Sequence, residues 1–411
     1  MPQHSQPLEL AEALRRVQSL LQPPGGTEQL ALNVAHNRIV ASNLLAPVDL
    51  PPFAASAMDG YAVRASDFAT GARFNIVGES LAGHPFTGGV KAKECVRIFT
   101  GAKMPAETDL VVLQEEVAER YGASVRFNDH TPAEKYIRPP AHDVARGTRL
   151  ARPGSLLDSF MLGTLSAAGI AQAEVYRRPR VGVFSTGDEL VDPGTPPDAL
   201  APGQIYDSNR LTVLHLLSGM PLQLVDLGRL PDDATETRKQ LAAASEDCNA
   251  LITSGGVSVG DADFVTTALR SLGQLEFWKL NLKPGKPMAF GRIGQCLLFG
   301  LPGNPVSTIV TLLLVAKPAL WALAGTNPPS PFKARATLRD ALHHTPGRTE
   351  YQRGTTRWED GSLVVTHTGD QSSNRLHSFA GANCLIEVPG PTGDLDAGDE
   401  VTVLPFQGLV T

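Results

Sequence analysis

The chain has 411 residues, 42% hydrophobic and 19% charged, too many for one ordinary core and enough for about two to four domains. Its 36 basic residues stand against 42 acidic ones, a formal net charge of −6, which argues against a general nucleic-acid surface and confines any basic site to a local cluster. Cys95, Cys248, Cys296 and Cys384 form no CxxC pair, so neither a zinc centre nor a disulfide framework is expected, and the thiols read as reduced core residues.

The opening MPQHSQPLELAEALRRVQ lacks an apolar signal core, and a cytoplasmic protein is expected. Leu10, Leu14, Val17 and Leu21 recur every three or four residues as the stripe of an amphipathic helix, and ALNVAHNRIVA predicts a second short one. From Pro51 to about Asp143 the texture changes to short β-rich runs, RFNIVG, CVRIF, DLVVL and SVRF, separated by Gly, Pro and Asp turns. GSLLDSFMLGTLSAAG then predicts a helix capped by Ser155 and stopped by Gly169. Pairing it with the N-terminal helices gives a discontinuous helical linking domain, 1–52 and 142–179, around a small β-domain, 53–141.

After RRPR the pattern alternates: VGVFS strand, SNRLTVLHLLSG helix, LQLVD strand, DATETRKQLAAA helix, ALIT strand, ADFVTTALRSLG helix, then LEFWKLNL and CLLFG strands. Such alternation predicts an α/β domain over 180–327 with a mostly parallel sheet. The apolar helix VSTIVTLLLVA is expected to break at Lys317 and Pro318, short of a membrane span. AGTNPPSPFKA reads as a linker, and the runs beyond it predict a second small β-domain, a barrel over 328–411. The fold class is therefore multidomain, α/β plus all-β.

Ligands of open α/β sheets sit beyond the carboxyl ends of the strands, and four polar loops fall there: STGDEL, SGGVSVGDADF, KPGKP and LPGNPVS. In the second, Ser254, Gly255 and Gly256 begin a turn stripped of bulk, which lets backbone N–H groups approach a ligand. In KLNLKPGKP, extended backbone puts Lys279, Asn281 and Lys283 on one face, with Lys286 added by the Pro-Gly turn. These cations suit a phosphate or another oxyanion, and equally the blunting of an edge strand. In LPGNPVS, Pro302 and Gly303 precede Asn304, suited to capping, and Pro305, suited to a helix's first turn; a helix start attracts anions. Glu189, Asp232, Asp261 and Asp263 are expected near the same edge. Two carboxylates about 4 Å apart repel by roughly 4 kcal/mol at an effective dielectric of 20, so a true cluster needs a counter-ion, and hard oxygens beside phosphate point to Mg²⁺. Asp232 and Asp263 also fit simple helix-start roles. No GxSxG, Walker A or HExxH sequence occurs, and His343 and His344 read as a solvated strand end.

SAMDGYAV, RIFTGA, STGDEL, YDSNR, SGGVSVGDADF, WKLNLKPGKP, LPGNPVS and NCLIEVP follow one another along nearly the whole chain, and together they resemble the molybdopterin molybdenumtransferases of the MoeA and gephyrin E-domain type. The resemblance implies an elongated homodimer of four-domain subunits. Its active cleft would lie between the α/β and C-terminal domains of one subunit and the small β-domain of the other. The implied reaction combines adenylylated molybdopterin and molybdate, with Mg²⁺, to give molybdenum cofactor and AMP. Contacts with the molybdopterin adenylyltransferase and with molybdoenzymes or their chaperones are also implied, with no nucleic-acid or membrane partner. Carried over by resemblance as catalytic are Asp59, Thr100, Asp143, Glu189, Asp232, Asp263, Lys279 and Lys283. Arg353 and Ser373 join the substrate-binding loops, and Glu189, Asp261 and Asp263 the metal. Ala54, Ala55, Ala141, His142 and Ser372 depart from the family's usual residues beside Asp59, Asp143 and Ser373. The rival activities are adenylylation of molybdopterin, whose family carries a TGGTG-like loop where this chain has SGGVSVGD, and a non-catalytic scaffold.

Overall fold

The runs VGVFS, ALIT and CLLFG form the centre of a six-stranded sheet, ordered Gln223–Leu230, Arg180–Thr186, Ala250–Ser254, Cys296–Leu301, Pro287–Ile293 and Gln274–Lys279. The computed structural model describes residues 7–22, 25–69, 71–128, 135–257, 263–328 and 330–410. The first four strands are parallel and the last two antiparallel to their neighbours. Ala250–Ser254 and Cys296–Leu301 are buried at every position, as continuous apolar strands covered on both faces must be. Strand Pro287–Ile293 has no counterpart among the sequence expectations, because it starts directly from the Pro-Gly turn. Its two reversals of direction restore Gln274–Lys279 to the sense of the parallel strands, so all four polar loops still leave from one sheet edge.

The helix after LPGN differs from expectation. It runs through Lys317 and Pro318 to Leu323, 19 residues in all, with a π-helical stretch at Leu312–Ala316 between its α-helical ends. The wider turn shifts the hydrogen-bond ladder just where Pro318 lacks an N–H, so the ring is accommodated. By length and composition this helix could cross a membrane, yet 83% of its apolar window is buried inside the protein.

Helix Leu10–Ser19 packs its Ala13 and Val17 into the core shared by the sheet and this long helix. It therefore lies on the α/β domain and not beside the second predicted linking helix. The linking region itself is β-rich: Thr27–Ala31 pairs with Gln172–Tyr176, and Leu44–Leu45 with Arg149–Ala151. ALNVAHNRIVA gives a strand end and a short 3₁₀ turn, Leu32–Val34, and β-branched Ile39 and Val40 are buried, with Val40 bridged to Val175. One helix, Ser159–Ala167, remains, and Asp158 caps it in place of Ser155, accepting from the Met161 N–H at 2.7 Å.

The small β-domain holds a six-stranded sheet with Gly60–Val63 between Leu110–Leu113 and Glu94–Ile98. In the C-terminal domain, Thr349–Glu359 pairs with both Ser362–His367 and Cys384–Val388, which closes the sheet into a barrel. The short strand Leu282–Lys283 leaves the α/β sheet and pairs in parallel with Thr349 and Glu350, stitching the two domains together. All four cysteines are free and buried.

Candidate functional site

The four loops and the C-terminal domain's 371–376 segment enclose a cleft of ≈ 980 Å³. Its floor is the Ser254–Gly256 turn facing Pro302 and Gly303. Gly255 has φ +96°, and its N–H donates to the Leu301 carbonyl at 2.9 Å. A Cβ there would stand 2.4 Å from the Thr186 hydroxyl, so only glycine lets the two loops close. Ser254 is 2% exposed and its hydroxyl has no hydrogen-bond partner among the described residues. An orphan buried hydroxyl at a cleft floor is a group awaiting a ligand or water.

Cations line one wall. Lys283 and Lys286 enter from the KPGKP turn, as expected, and Arg348 enters from the C-terminal domain, unforeseen in the sequence. The Arg348 guanidinium reaches the Leu282 carbonyl at 3.4 Å; the stitched strand brings it in, a contact that no local pattern announces. Acids line the other side. Glu189 and Asp232 face the cleft, and the Asp188–Asp232 loops lock reciprocally, Asp188 N–H to Asp232 at 3.2 Å and Asp232 N–H to Asp188 at 3.3 Å. A third acid, Asp207, is 3% exposed and paired with Arg210 at 3.3 Å. Asn304 lines the cleft but makes no capping bond; Thr308 bonds the Pro302 and Asn304 carbonyls instead, and the Val306 N–H donates to the Ser373 carbonyl at 3.0 Å. Pro305 takes the first helical turn, as expected.

A cleft of this kind, glycine-floored, cationic on one wall and acidic on the other, accompanies end-to-end similarity to known proteins. The MoeA N-terminal region (domain I and II) matches residues 8–169, the "Probable molybdopterin binding domain" residues 182–322, and the MoeA C-terminal region (domain IV) residues 335–406. The molybdopterin molybdenumtransferase of Haemophilus influenzae is 40% identical over 407 residues, covering 98% of this chain and 100% of that protein. The chain belongs to the molybdopterin molybdenumtransferase family. The Bacillus subtilis molybdopterin molybdenumtransferase is 32% identical over 409 residues, 97% of this chain and 94% of its own. A solved molybdopterin biosynthesis MoeA protein from Pyrococcus horikoshii OT3 superposes with a TM-score of 0.83 at 25% identity, covering 97% of this chain and 100% of that one.

Other residues of the molybdenumtransferase pattern lie outside the cleft lining. Arg353 is fully buried: its Nε donates to the Ser378 hydroxyl at 2.9 Å, and its Nη atoms donate to the carbonyls of Asp370, Gln371 and Ser372 at 3.1–3.4 Å. It shapes the loop that presents Ser373 and does not itself reach the cleft. Asp263 caps helix Phe264–Leu272, accepting from the Thr266 N–H at 3.0 Å, and burial raises its pKa. Lys279 ends its strand opposite Pro287, with its carbonyl accepting the Leu8 N–H at 3.0 Å. Asp261 is outside the described residues. Asp59 and Thr100 sit in the small β-domain, none of whose described residues lines the cleft; the Thr100 N–H and hydroxyl, both 2.8 Å away, hold the Asp59 carboxyl below the ordinary range. The exposed Asp143 lies where the chain re-enters the linking region, its N–H on the Leu50 carbonyl at 2.9 Å. His344 is 2% exposed, unlike the solvated strand end expected, while His343 stays exposed.

Proposed function

We propose that this chain transfers molybdenum from molybdate to adenylylated molybdopterin, forming molybdenum cofactor and releasing AMP. The observation that carries the reading is the meeting of Lys283, Lys286 and Arg348 with the bare Gly255–Gly303 floor in one cleft. Both substrates are multiply anionic. The lysines and Arg348 neutralise molybdate and phosphate oxygens, and the arginine's planar fork adds direction. The glycine floor admits the pyrophosphate close to the backbone, with the Ser254 hydroxyl free to donate. Catalysis here is chiefly positioning and charge neutralisation within a partly desolvated cleft.

Among the described residues no three acidic, histidine or cysteine side chains cluster as metal ligands. Glu189 and Asp232 nevertheless offer hard oxygens at the cleft edge, which fits the habit of Mg²⁺ of taking one or two carboxylates and completing its shell from substrate phosphates and water. Glu189 and Asp232 would hold the ion. When bound, the magnesium neutralises the pyrophosphate that is cleaved.

Because the described residues of 53–141 contribute nothing to the cleft lining, Asp59 and Thr100 are assigned to the cleft of a second copy of the chain, in a homodimer. Exposed Phe160 and Val34 offer apolar surface for such a contact. Free buried cysteines suit the reducing cytoplasm.

Purified protein given adenylylated molybdopterin, molybdate and magnesium should release AMP only when molybdate is present, and Lys286→Ala should raise the molybdate KM. ATP-dependent adenylylation of molybdopterin in place of AMP release would assign the sister activity. Mixing two impaired variants, Asp59→Asn and Lys283→Ala, should raise activity above that of either alone if clefts are shared between copies; no gain in mixed dimers would refute that sharing.

A further inference from the structure

Lys283 does not enter the cleft as an unattended cation. Its ammonium lies 3.1 Å from Oε1 of Glu350, whose side chain is only 3% exposed while that of Lys283 is 46% exposed. The two residues are also backbone partners, because the short strand at Leu282–Lys283 pairs in register with Thr349 and Glu350. Glu350 thus stands behind the cleft wall, at the start of a barrel strand, and reaches forward to one cleft lysine. Its other oxygen, Oε2, is buried with no hydrogen-bond partner among the described residues. The His344 ring lies beside it, with Nε2 3.8 Å away. His344 in turn sits with Nδ1 2.7 Å from the Thr392 carbonyl and Nε2 3.1 Å from the carbonyl of Arg348. The histidine therefore braces the backbone at a second cleft cation and walls in the carboxylate that holds the first.

We propose that Glu350 is a positioning residue for the transfer reaction, fixing the direction and reach of the Lys283 ammonium so that it meets the substrate oxyanion in one geometry. This rests on the reading of the cleft given above. A carboxylate is a poor neighbour for an anionic substrate unless it stays out of contact, and Glu350 does so, being buried behind the lysine. Its charge cancels much of the attraction Lys283 would otherwise exert, so it adds nothing to binding strength. What it supplies is orientation, since a four-carbon lysine stem held at its tip loses its rotamer freedom before substrate arrives. Removing the negative charge should therefore leave molybdate binding as tight or tighter, while fewer bound complexes are reactive.

The test is steady-state AMP release by the full chain, at saturating adenylylated molybdopterin and varied molybdate, for wild type, Glu350→Gln, Lys283→Ala and the double variant. Glu350→Gln should lower kcat about tenfold or more without raising the molybdate KM, and should have no further effect in the Lys283→Ala background. Wild-type kcat in Glu350→Gln, or a loss that persists in full when Lys283 is already alanine, overturns the proposal, the second outcome showing a structural role. If Lys283→Ala alone leaves activity intact, the role of Lys283 in the cleft fails first and this proposal with it. Should Glu350→Gln not fold, Glu350→Asp, which keeps the charge and shortens the reach, must lower kcat at unchanged KM. Failure of both to fold would make Glu350 a structural residue and refute the assignment.

Discussion

Arg353→Met removes a cation without emptying the space it fills. The wild-type guanidinium is fully buried and is held by one hydroxyl and three backbone carbonyls, all on the loop and turn around residues 370–378. Burial lowers its pKa to about 10, still far above neutrality, so the native group is charged. Methionine packs in the same channel but donates nothing, leaving the carbonyls of Asp370, Gln371 and Ser372 to find other partners. An unsatisfied buried polar group costs about 1–3 kcal/mol. Asp370 and Ser372 are themselves exposed, so water can reach the loop and the lower end applies, about 3 kcal/mol for three carbonyls. In a domain of this size each kcal/mol moves the midpoint by about 4–8 °C, and the C-terminal domain should melt about 12–24 °C lower. The same loop gives its Ser373 carbonyl to the helix start at Val306; with its anchor gone, kcat/KM should fall by about 100-fold, the usual cost of a misplacement near 1 Å. Calorimetry and AMP-release kinetics on one preparation read both effects. A variant that melts with wild type and keeps its kcat/KM would show that the loop holds its shape without Arg353 and would refute its role in shaping the cleft.

Three further outcomes are expected. Lys317 is buried, its ammonium donating to the Leu409 and Val410 carbonyls at 2.7 Å each, and burial lowers its pKa from 10.5 to about 8. The unfolded chain keeps this proton to higher pH than the native one, so wild type should gain stability relative to Lys317→Met as pH rises from 8 to 10.5; urea midpoints that track each other across that window would contradict it. Asp263→Ala should destabilise by about 1 kcal/mol through loss of the cap, whereas Asp263→Asn, which can still accept from Thr266, should melt like wild type. Gly255→Ala must relieve a 2.4 Å approach to Thr186 from a backbone at φ +96°, which should cost more than about 1 kcal/mol and weaken AMP-release activity by displacing the cleft floor; unchanged melting and kinetics would show that the floor tolerates a side chain.

The α/β domain was legible because its buried strands are long apolar runs and its loops carry Gly and Pro at their ends, features set by neighbours in the chain. Lys283, Lys286, Glu189 and the LPGN loop followed from that one rule about strand ends. What stayed hidden depended on contacts between distant segments. Strand Pro287–Ile293 starts on a proline and contains glycine, so its pairing on both sides, not its composition, makes it a strand. The helix expected in ALNVAHNRIVA gave way because Val40 and the preceding strand have partners near Val175, more than a hundred residues away. His343 and His344 look alike in sequence, yet one is exposed and the other buried, since only the barrel's closure decides which side of the strand end faces inward.

The burial of His344 belongs to the C-terminal domain, and so does Arg348, which the sequence also did not announce; both fit how that domain serves the cleft. Arg348 and Ser373 face the cleft from it directly, while Arg353, Glu350 and His344 stay buried and act on the residues that do. Buried polar groups of this kind do little for stability on balance, because desolvation offsets their pairing; their use is to fix geometry. A barrel filled only with Val, Ile and Leu would be as stable and would leave the 370–373 loop and the Lys283 ammonium free to wander. The polar residues in its wall therefore make sense as a rigid second half of a cleft whose first half, the glycine floor and helix start, is already set by the parallel sheet. Substitutions in that wall should consequently alter turnover more than substrate affinity, the reverse of what is expected for Lys286 at the cleft surface.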